Sequence, residues 1–499
     1  MDLKDIFFSR AFFVFVISFS IFFFSWFFVC KTGINDTAIQ SHDTLPALFI
    51  PASVSVEGNL DLDEYFEMLI SEHPHPDGES IPFYLRVVDG HFYSAFPVIT
   101  GLLAIPVYFV PLQLGLPVTF ETVALLGHIS ASFIVALSAV FIYLIFRRMA
   151  VSGRRPVILA LVYALGTCSF ALTSQGLWQH TASQLMLSLA LYFLVLGFDS
   201  PNKAPWSGLF LSLATLARPT GAVAVLLLSL YFLLRYSWVN FLKYVSLGLF
   251  PVAVFLAVPG MHKGVFAGYA SQVGSNWTAP FPQGFLGVWF SPSKGVLIYS
   301  PVFLFSFVSV WILVADELAD KNPKSETLNP KQIQNSNDKN SKRFENLNLG
   351  NSDLFRISDF VLRICRRIEA RGKLVLFYFV FLCVFVHSFV VGKWYHWYGG
   401  WAFGYRMMSD MIPFLAFLWV PFVKSEYWNK LKYWFYLAAV WSVGIQLAGI
   451  AFFDGVWHNL FDEGPDQQAW LWSVKNSEML YYVRRLIAKL QGKPTSLVR

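Results

Sequence analysis

Long apolar runs recur along this chain, and a bilayer core needs about 20 such residues for each crossing helix. They fall at 9–30, 122–146, 156–174, 182–198, 244–261, 296–315, 374–392, 410–423 and 433–453. The stretch 207–235 is broken by Arg218-Pro219 and is predicted to form two short spans meeting at that break. The total is about eleven crossings. Only 14% of the residues are charged, against about a quarter in soluble domains. A water-facing surface of this size cannot be coated so sparsely. Ordinary soluble enzymes, disordered chains and disulfide-rich secreted scaffolds are thereby excluded. The expected fold class is all-α: a polytopic transmembrane helix bundle whose long first extracytoplasmic loop, 31–121, carries juxtamembrane helices. The net charge of +6 is no nucleic-acid signal, because the spans distribute the charges unevenly. Cys30, Cys168, Cys365 and Cys383 have neither metal-ligand nor redox spacing.

The first run is too long for a signal-peptide core and lacks a small-residue cleavage site, so it reads as a retained span. Residues 94–117 are apolar but hold Pro97, Pro106, Pro111 and Pro117. Proline removes a helix donor, and the segment is expected to be interfacial or re-entrant. With the N-terminus in the cytoplasm, 24 of the 37 Lys and Arg residues fall inside and 13 outside, as the positive-inside rule requires. Four regions follow: a first membrane region 1–315, a cytoplasmic segment 316–373, a second membrane region 374–453 and an extracytoplasmic tail 454–499. Residues 316–353 are polar and nearly free of aromatics, the composition of a linker. Residues 354–371 and the tail's Leu480-Val483-Leu486-Ile487-Leu490 have the apolar spacing of helices lying on a membrane surface.

No phosphate-binding GxxxxGK[ST], strand-linked GxGxxG or HExxH occurs. The distinctive segments fall on the outer side. They are Ser41-His42-Asp43-Thr44, Trp178-Gln179-His180-Thr181, Arg218-Pro219-Thr220, Ser293-Lys294-Gly295, and the run from Lys393 through Trp397-Tyr398-Gly399-Gly400-Trp401-Ala402-Phe403-Gly404-Tyr405-Arg406. Aromatics, glycines and a few charges concentrated on one face point to a site at the outer membrane boundary.

This layout resembles the GT-C superfamily of polytopic glycosyltransferases, which use polyprenyl-phosphate-linked sugars. It is most similar to the bacterial branch related to protein O-mannosyltransferases and lipid A aminoarabinose transferases. The likeness rests on the early Asp43 in a long first loop, the outer Arg218-Pro219 break and the Trp397–Arg406 loop, and spans roughly residues 10–420. Two departures stand out: the acidic pair common in that first loop is not adjacent here, since Thr44 follows Asp43, and Tyr405 stands where related chains often carry Pro. The resemblance implies a multi-pass protein of the plasma (inner) membrane. It implies transfer of a sugar from a polyprenyl-phosphate donor to a glycan, lipid or protein acceptor on the extracytoplasmic face, with membrane lipids as surroundings and no nucleic acid. Asp43 becomes the candidate catalytic base. Arg218, Arg406, Lys393 and Lys294 become candidates for the donor phosphate, and His42, His180, Trp178, Trp397, Tyr398 and Trp401 for the substrate pocket. No cofactor and no metal site are expected, because His73-Pro74-His75 and His396 lack a ligand set around them.

Each residue also has a plainer reading. Asp43 fits a solvated loop carboxylate, and Asp61, Asp63 and Glu64 a solvated or capping stretch. Arg406 fits a snorkelling side chain, and the tryptophans fit an interfacial belt. Arg218 is harder to dismiss, since a charge inside an apolar stretch is costly unless paired or functional. The alternative function is a transporter or flippase for a lipid-linked saccharide. Such a protein is expected to carry acidic residues inside its spans and internal repeats, and neither is visible.

Overall fold

The computed structural model describes residues 9–31, 41–75, 77–78, 80–272, 276–321, 371–462 and 468–491. The chain begins with α1 (Arg10–Lys31). The first loop folds as α2 (Leu45–Val56), α3 (Phe66–Glu72), the strands β1 (Leu85–Val88) and β2 (His91–Ser94), and α4 (Ile99–Gln113). Then come α5 (Phe120–Arg148), α6 (Arg155–Leu165), α7 (Gln179–Leu196), α8 (Trp206–Ala217), α9 (Ala222–Arg235), α10 (Trp238–Ala257) and α11 (Pro259–Gln272). They are followed by α12 (Phe281–Phe290), α13 (Val296–Tyr299) and α14 (Leu304–Lys321). The last part holds α15 (Gly372–Lys393), α16 (Ile412–Phe417), α17 (Trp419–Lys424), α18 (Tyr427–Phe452), α19 (Val456–Phe461) and α20 (Glu478–Leu490). The sheet among the described residues is one antiparallel hairpin, with Leu85 opposite Ser94. The protein is thus a mostly helical bundle.

Seven helical segments among the described residues are long and apolar enough to cross a membrane: α1, α5, α10, 301–318, α15, 406–424 and α18. The other expected spans are helical but differ in kind. α6, α8 and α9 have 11, 12 and 14 residues, about 16–21 Å of helix. α7 has 18 residues but buries Gln179, His180, Ser183, Gln184 and Ser188. α4, within the proline-rich 94–117 segment, has 15 residues, and at about 22 Å it falls short of the hydrocarbon thickness. It lies hard against α2, where a Cβ at Gly101 would come within 2.9 Å of Ile50.

Two boundaries shift. α14 runs on to Lys321, past the boundary expected at 315, and the Tyr378 hydroxyl of α15 donates to Glu317 at 3.1 Å. The expected surface helix at 354–371 lies outside the described residues. In the tail, α20 exposes Val483 and Ile487 as a surface helix would, but Glu478, Tyr481 and Tyr482 are buried in the bundle.

The helix ends fall into two sets. At one end Arg10 donates to Gly153 O at 2.9 Å, Arg148 pairs with Asp199, Arg155 donates to Val423 O, and Lys424 donates to Met149 O. Arg235 lies against Gly372 there. These contacts gather the start of α1, α6 and α15 and the close of α5, α9 and α17 into one basic end. The starts of α2, α7 and α16 and the α8–α9 break lie at the other end.

Candidate functional site

At that other end four separate pieces of chain converge. The first is a single turn of 3-10 helix, His42–Thr44, capped by Ser41, whose hydroxyl accepts from the Asp43 N–H at 3.4 Å. The second is the start of α7, where Trp178 is extended and His180 turns inward. The third is the α8–α9 break. Proline disfavours helical backbone in the residue before it, and Arg218 is extended at φ −152°, ψ 118°. That geometry ends α8 and swings the guanidinium into the bundle. The fourth is the loop 394–405 leading into the 3-10 turn Arg406–Met411.

The glycines of that loop have steric reasons. Gly399 has φ +88°, and a Cβ there would stand 2.9 Å from Arg406 Cβ. Gly404 has φ +65°, with a Cβ 3.0 Å from the Tyr299 ring. L-residues rarely adopt such angles. Between them and the bundle, the Tyr405 hydroxyl accepts from the Cys168 N–H at 3.0 Å and lies 2.7 Å from the Ser300 hydroxyl. Tyr405 is a buried anchor that fixes where Arg406 begins.

Asp43 and Arg406 form an ion pair, each side chain about one-fifth exposed or less. The Arg406 guanidinium lies 4.5 Å over the Trp178 ring, a cation–π arrangement, and donates to Gly399 O at 3.3 Å. Behind it stands His180, 1% exposed. Arg406 Nε lies 3.4 Å from His180 Nε2, Arg218 Nη1 contacts the same nitrogen, and His180 Nδ1 lies 3.1 Å from Asp410 Oδ1. A neutral imidazole with its proton on Nδ1 donates to Asp410 and accepts at Nε2 from the two arginines, although Arg218 Nη1 also lies 2.8 Å from Nδ1. Arg218 Nε is 2.8 Å from Asp410 Oδ2, and Asp410 is fully buried. Thr220 accepts from Arg218 Nε at 3.0 Å. The order is carboxylate, guanidinium, imidazole, guanidinium, carboxylate, running from the partly open Asp43 to the closed Asp410. The formal charges balance only because Asp410 is present.

Beside Asp43 the His42 ring packs 4.9 Å from His73. Burial lowers the pKa of both imidazoles, that of His73 to about 4. Two neutral rings therefore wall this flank.

Other expected site residues are elsewhere. Lys294 is 1% exposed and paired with Glu478 at 3.2 Å. Its ammonium also donates to Ala402 O at 2.5 Å and lies 3.1 Å from His458 Nε2. With its donors committed, it has none left for a phosphate. Burial pulls Lys294 below and Glu478 above their usual values, and each opposes the other's shift through its charge. Lys393 donates to Ala279 O at 3.0 Å, outside the Arg406–His180–Arg218 chain. Trp397 and Tyr398 are 1% exposed: Trp397 donates to Gln468 Oε1 at 2.7 Å, and Tyr398 packs edge-on against Trp470. Neither has an open face for a sugar. Trp401 is exposed and stacks on His458. Asp63 ties the first loop together, accepting from Phe92 N at 2.7 Å and pairing with His91.

Asp410 and Glu478 were not identified from sequence. Arg218, a charge with no counter-charge nearby in sequence, is the available signal for Asp410, since a buried guanidinium requires one. No protein-family profile, curated protein or solved structure matches this chain.

Proposed function

We propose that this protein is a GT-C-type membrane glycosyltransferase of about eleven crossings that moves a sugar from a polyprenyl-phosphate donor to an acceptor on the extracytoplasmic face. One observation carries the reading. The Asp43–Arg406 pair, backed by His180, Arg218 and Asp410, stands at the end of the bundle opposite the basic one, and basic ends face the cytoplasm.

The residues account for the chemistry as follows. The donor phosphate enters as an anion and competes with Asp43 for the Arg406 guanidinium, which binds it in bidentate fashion. Arg218 lies one imidazole further in and adds positive potential. Asp43, released from its partner, accepts the proton of the acceptor hydroxyl. The acceptor oxygen bonds to the anomeric carbon, the bond from that carbon to the phosphate oxygen breaks, and polyprenyl phosphate leaves with the electron pair, stabilised by the guanidinium groups. Asp410 holds His180 and Arg218 in place and does not touch the reactants.

The test is lipid-linked sugar profiling of cells lacking the gene, followed by transfer assays with the purified protein. Accumulation of a polyprenyl-phosphate sugar, and its consumption by the pure protein, are expected. No accumulated species together with no transfer overturns the reading. One finding favours the second reading, a transporter or flippase: Asp410 is a fully buried carboxylate at the start of a candidate span. A flipping assay in proteoliposomes separates the two, since the enzyme transfers sugar without moving lipid between leaflets.

A further inference from the structure

The basic end of the bundle contains a cavity of about 480 Å³ between the start of α1, the last turns of α5 and the α5–α6 turn. Arg10 and Arg147 border it, with Ser9, Tyr143, Val151 and Pro156 completing the wall. Tyr143 and Arg147 are four residues apart on α5, so both side chains lie on one helix face.

Three features mark it as built for an anion. Among the described residues neither Arg10 nor Arg147 has a carboxylate partner, whereas the adjacent Arg148 pairs with Asp199 at 3.5 Å. Arg10 is held by a single hydrogen bond to Gly153 O, which leaves guanidinium donors to spare. Tyr143 is 1% exposed, and its buried hydroxyl has no hydrogen-bond partner among the described residues. Buried hydroxyls are nearly always satisfied, so this one points to a ligand acceptor in the cavity. The place selects the ligand further. Basic helix ends face the leaflet that carries anionic lipid, and basic pockets between helices on that side take anionic headgroups.

We propose that this cavity is a binding site for the phosphate of an anionic phospholipid headgroup, seated between Arg10 and Arg147 and accepting a hydrogen bond from Tyr143. It lies at the opposite end of the bundle from Asp43 and does not depend on the glycosyltransferase reading.

The experiment uses the full chain in neutral detergent and native mass spectrometry with phosphatidylglycerol or phosphatidylcholine. Wild type is expected to retain phosphatidylglycerol in preference. The double variant R10Q/R147Q is expected to retain it about tenfold less or lower still. Y143F, which removes one oxygen and leaves the fold intact, is expected to lose severalfold. K430Q/K432Q, at the same basic end but outside the cavity, keeps wild-type retention. Retention by R10Q/R147Q equal to wild type overturns the proposal, as does an equal loss in K430Q/K432Q, which marks general surface attraction. If the double variant does not fold, Y143F alone decides, and unchanged retention overturns the site. Displacement of phosphatidylglycerol by millimolar inorganic phosphate identifies free phosphate as the ligand and overturns the lipid assignment.

Discussion

The Asp43 carboxylate accepts a hydrogen bond from the Arg406 guanidinium across 363 positions of sequence. The pair closes the first loop onto the loop that precedes α16. It also occupies both groups, so under the proposed function the donor phosphate must separate them before either can act.

Asp43→Asn removes the charge and keeps the shape. Transfer of labelled sugar is expected to fall by about a hundredfold or more. The melting temperature changes little, because a partly exposed pair contributes only about 0–1 kcal/mol. Arg406→Ala is expected to raise the donor KM about tenfold or more. Unchanged kinetics in both variants would remove these residues from the site.

Arg218→Ala leaves Asp410 buried without its guanidinium, and His180 alone cannot supply a fixed positive charge. Breaking such a pair costs about 3–5 kcal/mol, read as a drop in thermal unfolding temperature in detergent. The double variant R218M/D410L is expected to recover most of that stability but not transfer. If the single variant melts like wild type, the pairing at 2.8 Å carries no stability.

The flank of neutral imidazoles gives a pH signature. His73 stands at about 4 in the folded chain against the usual 6.5, because burial penalises its charged form and His42 adds to the effect. The unfolded chain then takes up the proton first. The stability is fully present above about pH 6.5 and is lost as pH falls from there to about 4. Melting curves across this window are expected to slope for wild type and to flatten in His73→Phe. Equal slopes would place the titration elsewhere.

Glu478→Gln removes the counter-charge of Lys294 while leaving one carbonyl oxygen where Oε2 accepts from Tyr299, at 2.9 Å, and from the Gly404 N–H, at 3.0 Å. The loop 397–406 is expected to become more susceptible to protease, and the protein to lose about 3 kcal/mol. K294M/E478L is expected to restore protease resistance. Resistance in the single variant equal to wild type would show that the loop does not depend on this clasp.

Deletion of residues 322–350 is expected to leave both the melting temperature and transfer unchanged. The tract is polar and has too few aromatics to bury a core. Starting the deletion at 316 instead removes Glu317, the acceptor of Tyr378, and is expected to lower the melting temperature.

The bundle was legible because apolar length is a local property, written in each run of residues. Arg218 stood out for the same reason: one charge in an apolar stretch, followed by a proline that breaks the helix. Asp410 is obscured because it opens its run and reads as a boundary residue, and the Thr220 hydroxyl and His180 that bond to it are 190 and 230 positions away. Glu478 sits in the first turn of an amphipathic helix, where an acidic residue also reads as complementing the helix dipole. Lys294 reads as available for a phosphate because nothing nearby in sequence neutralises it. The spans expected from hydropathy at 182–198 and 207–235 proved shorter or more polar. Gln184, Ser188 and Arg218 in them are satisfied by Ser409, Ser138 and Asp410 from other segments, which no single-segment pattern reveals.

The Lys294–Glu478 clasp also orders events during synthesis. Its two halves are 184 residues apart. At about 5–20 residues per second, the ribosome works for roughly 10–40 seconds between adding the lysine and adding its acid. Throughout that interval the nascent bundle holds the Lys294 ammonium without its Glu478 partner, so the cradle around Gly404 and Tyr299 locks only once residue 478 has been added. Chains released before that point are therefore left with a loosened cradle, a defect that quality-control proteases can read.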